Sequence, residues 1–350
     1  LTTRATPAAR PTASRAAPVV VFALVLAAVM ALAVAFGTEP VDLARALGEP
    51  ASLDRLIIVG VRLPRVALGA IAGGGLAVAG VAFQAILRNP LAEPYVLGVS
   101  GGAALGATLV ITFGSSLLTA ASLVGASAIS VGAFAGGLGA TALSYFLARS
   151  SGSSAAAGTA RSDASILLAG VVINSIAASA ITMVKTLVSA SKSQELLLWL
   201  MGFLDVPSLA SLGTVSALVA VGGLLLAFDA GRYNLLALGD EAAEHLGVDV
   251  RALERRAFLG CSLVVGAIVS VTGLIAFVGL IVPHALRRLY GPDTRVTLPT
   301  SFFAGGAMLV LCDLGARLCF RALRTEPPVG AVTALVGGPL FLILLRQRRA

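Results

Sequence analysis

Eight stretches of this chain, each at least 17 residues long, contain no Asp, Glu, Lys or Arg: 16–38, 66–87, 94–148, 164–184, 206–228, 257–286, 296–312 and 327–345. A helix needs about 20 residues at ~1.5 Å each to cross a ~30 Å hydrocarbon core. The chain is therefore read as an all-α, polytopic membrane protein. Composition excludes the soluble alternatives. Only 12% of the 350 residues are charged and 57% are hydrophobic, whereas a soluble domain carries about 25% charged residues. That leaves too little polar surface for a globular domain, and too much apolar surface for a disordered chain or a soluble nucleic-acid binder.

The 55-residue run 94–148 holds two spans, broken near Gly114-Ser115-Ser116. The 30-residue run 257–286 is too long for one crossing and short for two. Arginine placement decides between nine and ten spans. With a turn at Thr272-Gly273 and a short eighth helix over 274–286, 16 Lys and Arg fall inside and 9 outside; with nine spans the split is 13 to 12. Ten helices with both termini cytoplasmic is the better reading. Arg4, Arg10 and Arg15 before an apolar run also fit a cleaved secretory signal. Residues 18–36 are longer than a usual signal core, however, and no A-x-A site precedes a polar mature domain, so a retained first helix is expected. Residues 1–17 read as a disordered cytoplasmic tail, 149–163 as a flexible cytoplasmic loop, and 18–346 as one transmembrane domain.

Catalytic chemistry finds little support. His245 and His284 have no metal-ligand spacing around them. Cys261, Cys312 and Cys319 lie in or at the end of apolar runs and read as small core residues. No G-x-x-x-x-G-K-[ST] occurs, so ATP hydrolysis would need a separate subunit. A proton-coupled carrier places acids at mid-membrane depth, yet the nearest candidate, Asp313, has Arg317 four residues on and reads as an ion pair. Paired glycines inside the spans (Gly73-Gly74-Gly75, Gly136-Gly137, Gly222-Gly223, Gly305-Gly306, Gly337-Gly338) predict close helix packing.

Several stretches carry more than composition. They are RLPR at Arg62–Arg65, RNPLAEP at Arg88–Pro94, GLIAFVGLIVPHALRR at Gly273–Arg288, TRVTLP at Thr294–Pro299 and EPPVGAVTALVGGPLFLILLR at Glu326–Arg346. In this order they strongly resemble the permease subunits of ATP-driven (ABC) importers for iron–siderophore complexes, haem and vitamin B12, from about residue 55 to the C-terminus. The resemblance implies ten helices and a homodimer around one pathway in the bacterial inner membrane. It also implies two cytoplasmic ATPase subunits, which carry the ATP and Mg, and a periplasmic or lipid-anchored binding protein. No cofactor is expected on this chain itself, and membrane lipid surrounds it. An iron chelate is the expected cargo, with vitamin B12 as the alternative; a secondary carrier, a polytopic scaffold and a membrane enzyme are the rivals from other classes.

The resemblance assigns roles residue by residue. Asn89 and Leu91, in a turn framed by Pro90 and Pro94, are expected at the inner gate; a plain helix corner is the alternative. Segment 231–256 contains Glu241-Ala242-Ala243 with Gly247 four residues on, similar to the ATPase-docking loop of ABC importers. Docking is expected on Gly239, Asp240, Glu241, Ala242, Ala243, Leu246 and Gly247; a solvated loop is the alternative. Arg62, Arg65 and Arg317 match positions that pair with carboxylates of the binding protein, against helix-end snorkelling or capping. Trp199 reads as an interface anchor.

Overall fold

A computed structural model describes residues 15–114, 128–150, 161–205 and 208–346, and among these the regular structure is entirely helical. The first helix, α1 (Ala16–Ala35), is followed by two short helices, α2 (Leu43–Gly48) and α3 (Leu53–Leu56). A π-helical stretch, Ile57–Arg62, then leads without a break into α4 (Leu63–Ile86). After a 3-10 turn at Pro94–Leu97 come α5 (Val99–Phe113), α6 (Ala128–Ser150), α7 (Arg161–Leu187) and α8 (Ala190–Met201). The rest of the chain forms α9 (Leu209–Phe228), α10 (Ala230–Leu236), α11 (Asp240–His245), α12 (Val250–Thr272), α13 (Val278–Tyr290), α14 (Thr294–Leu323) and α15 (Val329–Arg346). Starts follow the chain's own caps. Side chains of Asp42, Ser52, Ser208, Asp249 and Asp293 accept from backbone N–H groups in the first turns of α2, α3, α9, α12 and α14, as capping predicts.

Seven described helices are long and apolar enough to cross a membrane: α1, the 53–86 run, α6, α7, α9, α12 and α14. Val99–Phe113 and Val329–Ile343 are apolar but shorter. Two details differ from the sequence reading. Ala16 and Ala17, expected in the tail, belong to α1; residues 1–14 lie outside the described part. The loop expected at 149–163 is helical at both described ends, in α6 and α7, and 151–160 likewise lie outside.

The core is organised around α4. Its central window is 89% buried, against 17% for α1, because glycines on different faces let four neighbours approach. A Cβ on Gly73 would sit 2.3 Å from the Gly305 carbonyl of α14, and one on Gly80 would clash with the Gly279 backbone of α13. Gly75 meets Ile268 and Val264 of α12, and Val219 of α9. A second seam joins α5 to α6 through Gly102, Gly106, Gly132 and Gly136. Where lipid supplies no hydrophobic drive, such backbone-to-backbone packing is what holds helices together.

Candidate functional site: interrupted helices and an exposed knob

Two consecutive glycine-bounded turns build a protruding knob. Gly239 (φ +106) precedes α11 and Gly247 (φ +83) follows it, both in backbone regions that side chains with a Cβ adopt only under strain. Ala243 is buried, and its carbonyl accepts from the Val248 N–H at 3.0 Å, which folds α11 back onto the start of α12. That leaves Glu241 exposed, together with Leu238 (66%) and Leu246 (57%). Both leucines stand beside the two glycines that bound α11.

The turn after α4 reaches this knob. Arg88 Nη2 lies 3.2 Å from Asp240 at the start of α11, and Arg88 itself is left-handed (φ 43). The Asn89 side chain accepts from the Leu91 N–H at 2.9 Å, so Asn89 shapes the turn while Leu91 is left 41% exposed at its tip.

Beyond the turn, the chain runs back into the bundle and meets a second interruption. α5 has 15 residues and α13 has 13, about 22 and 20 Å at ~1.5 Å per residue, short of a ~30 Å core. Each is preceded by chain outside the α-helices, 87–98 and 273–277. These two segments clasp each other. Glu93 Oε1 accepts from the Phe277 N–H at 2.6 Å, and the Tyr95 hydroxyl accepts from the Ile275 N–H at 2.7 Å. Phe277 is left-handed (φ 70), a conformation that costs a bulky residue about 1–3 kcal/mol and persists only where surroundings hold it. Irregular backbone inside a membrane bundle is tolerated where protein groups satisfy it, and here Glu93 and Tyr95 do so.

At the other end of the bundle, three arginines are turned inward. Arg62 Nη1 donates to the Val34 and Ala35 carbonyls at 2.7 and 2.9 Å, and Nη2 donates to the Glu39 carbonyl. Arg317 Nη1 donates to Ala33 O at 3.0 Å and Phe36 O at 3.3 Å. Together they satisfy the free carbonyls at the C-terminus of α1. Arg65 bridges Asp313 (2.9 Å) and Glu326 (3.3 Å). Arg317 Nε also lies 3.0 Å from Asp313 Oδ2, an ion pair by distance whose angle is too poor for a hydrogen bond.

A model of the FecCD transport family matches residues 20–347. The chain belongs to that family. Among relatives of the FecCD permease, a cobalamin import system permease protein, BtuC, of Halobacterium salinarum is 41% identical over 293 residues, covering 83% of this chain and 74% of that protein. The hemin transport system permease protein HmuU of Yersinia pestis is 38% identical, covering 83% and 84%. The Fe(3+)-citrate import system permease protein YfmD of Bacillus subtilis is 35% identical, covering 85% and 84%. A solved inward-facing structure described as a metal-chelate type ABC transporter superposes with a TM-score of 0.80 at 27% identity, covering 95% of this chain and 99% of that one. The FecCD chain is thus a multi-pass permease subunit of an ABC importer.

Within this FecCD permease the sequence-predicted residues separate into two groups. Gly239 to Gly247 and the Asn89–Leu91 turn come together, linked by Arg88 and Asp240. Of the residues expected to face a binding protein, Arg62 is 4% exposed and Arg317 3%, while Arg65 is partly buried with its donors on Asp313 and Glu326. The capping alternative describes Arg62 and Arg317, whereas Arg65 is held in an ion-pair cluster. Cys319 is exposed, against the reading of all three cysteines as core residues, while Cys261 and Cys312 are buried. Sequence reasoning missed Arg88, Glu93, Tyr95 and Phe277. Their signal was present only as position: an arginine and an acid flanking the Pro90 turn, and an aromatic between the glycines of Gly273–Gly279.

Proposed function

We propose that two copies of this chain form the translocation pathway of an importer with ten crossings per subunit, the knob and both termini being cytoplasmic, in a bacterial inner membrane. Two ATPase subunits dock on Gly239–Gly247, with Leu238 and Leu246 inserted into a groove of each. The observation that carries this reading is the continuous link from knob to interrupted helices. The ATPase moves α11, Arg88 passes that movement to the Asn89–Leu91 turn, and the Glu93–Phe277 clasp lets the α5 and α13 segments shift as a pair. Asn89 and Leu91 close the inner mouth. Short helices with unwound approaches are the parts that transporters rearrange around a substrate.

A substrate-binding protein docks on the opposite face. With Arg62, Arg65 and Arg317 engaged internally, its carboxylates meet the exposed Arg45, Arg55 and Arg324. The cargo is a bulky metal chelate, with an iron chelate first. Cobalamin is the second reading, favoured by the 41% identical cobalamin permease.

The test is uptake into vesicles reconstituted with this permease, its ATPase and its binding protein, offered ferric siderophore, haem and cobalamin in parallel. ATP-dependent uptake of an iron chelate is expected, lost in the double variant Leu238→Asp with Leu246→Asp. Uptake that persists without the ATPase would overturn the reading; uptake of cobalamin alone would replace the cargo and keep the mechanism.

A further inference from the structure

An open, almost entirely apolar groove of about 430 Å³ runs between α4, α9 and α14, over Val264 of α12. Its walls include Gly75 and Val78 of α4, Gly223 and Leu224 of α9, and Pro299 and Phe302 of α14. All lie within helices long enough to span a membrane. Two independent features say what fills it.

The first is a glycine with no packing reason. Gly222 is required, since a Cβ there would meet Val264 at 2.6 Å. Its neighbour Gly223 has nothing within 4 Å of the same position. A glycine weakens a helix relative to alanine, so one that relieves no clash keeps space open instead.

The second is charge at one end of the groove. Arg295 lies on the same stripe of α14 as Leu298, Pro299 and Phe302, three, four and seven residues on. It is exposed, has no ion-pair partner among the described residues, and rests against Gly231 at the start of α10. Arg232 stands over Phe228, one turn beyond Leu224, with Nη1 on Asp229 and its other donors left for an anion. Arg15 and Arg256 are nearby, pairing with Asp293 and Asp229. Four guanidiniums against two carboxylates leave this mouth positive.

We propose that the groove holds an acyl chain of an anionic glycerophospholipid whose phosphate sits on Arg295 and Arg232. The proposed topology enters only in naming the leaflet, which is the cytoplasmic one. Basic pockets between spans on that side are where anionic headgroups are drawn, and the apolar trough below accepts the chain at no cost in buried polar groups.

Native mass spectrometry of the full chain in detergent, offered equal phosphatidylglycerol and phosphatidylcholine, reads this without ATPase or cargo, so it stands apart from the transport assay. Wild type should retain phosphatidylglycerol preferentially. Arg295→Gln should lower that preference about fivefold while leaving a bound lipid. Gly223→Phe should remove the retained lipid of both kinds, with elution volume and melting temperature unchanged. Equal retention of both lipids by wild type would overturn the proposal, as would undiminished retention in a folded Gly223→Phe. Loss of a dimer in Gly223→Phe would assign the groove to a second copy instead. If Gly223→Phe fails to fold, an unaltered preference in Arg295→Gln is sufficient to reject it.

Discussion

At the end of the bundle where α1 finishes, Arg62, Arg65 and Arg317 spend their donors on α1 carbonyls, Asp313 and Glu326. At the knob, Arg88 keeps 29% of its side chain exposed and reaches the carboxylate of Asp240. The same residue type therefore does opposite work. A buried guanidinium with several fixed acceptors ties α1, α4, α14 and the chain before α15 into one block, because breaking any contact strands a charge in low dielectric. A partly exposed guanidinium in an ion pair near solvent can let go and re-form at little cost. One end of the molecule is clamped, and the other is hinged.

The strongest way to break this contrast is Asp313→Ala, which leaves Arg317 buried with no carboxylate. Loss of about 3–5 kcal/mol of stability is expected, seen as a lower melting temperature in detergent. A loss below about 1 kcal/mol would mean that water already screens the cluster and that its arginines are free for a binding protein. Next in size is Gly247→Val or Gly239→Val at the knob, where a left-handed or glycine-only backbone costs a branched residue about 1–3 kcal/mol. Membrane insertion should be normal and ATPase co-purification should fall about tenfold, as 1.4 kcal/mol implies. Wild-type ATPase recovery with wild-type uptake would remove the knob from the coupling path. The smallest effect sharpens the hinge itself. Arg88→Ala should leave folding and ATPase binding intact and slow transport about two- to fivefold, the reach of a ~0.2–1 kcal/mol pair. Exchange of both charges, Arg88→Asp with Asp240→Arg, should restore part of the rate; a double variant no better than either single one would show that the two do not act together.

What the sequence made legible was what repeats locally. Charge-free runs marked the spans, and the awkward length of 257–286 announced that α13 is short, although its helix starts at Val278 after an unwound approach rather than at 274. Gly239 and Gly247 bracket a knob because only their own backbone angles are at issue. The internal bonds of the arginines were not legible, because they depend on distant partners. Arg65 finds Asp313 and Glu326 some 250 residues later, and Arg62 turns back on α1 carbonyls that carry no side-chain signature. A positive charge at a helix end looks the same in sequence whether it faces outward or is folded under. The Glu93–Phe277 clasp was hidden for the same reason, since it joins a carboxylate to a backbone N–H 184 residues away.

The burial of α4 has a consequence in time. Its partner across the Gly73–Gly305 seam lies 232 residues further along the chain. At ~5–20 residues per second, synthesis takes on the order of 10–45 s to deliver α14. Throughout that interval the helix destined for the centre of the molecule stands in lipid with its most crowded faces bare. Between Arg65 and Gln84 the rod is surfaced with glycine, alanine and other apolar residues, and over that length it offers nothing polar for a wrong neighbour to grip. The smoothness that later permits backbone contact thus serves first as protection for a nascent chain whose final companions do not yet exist.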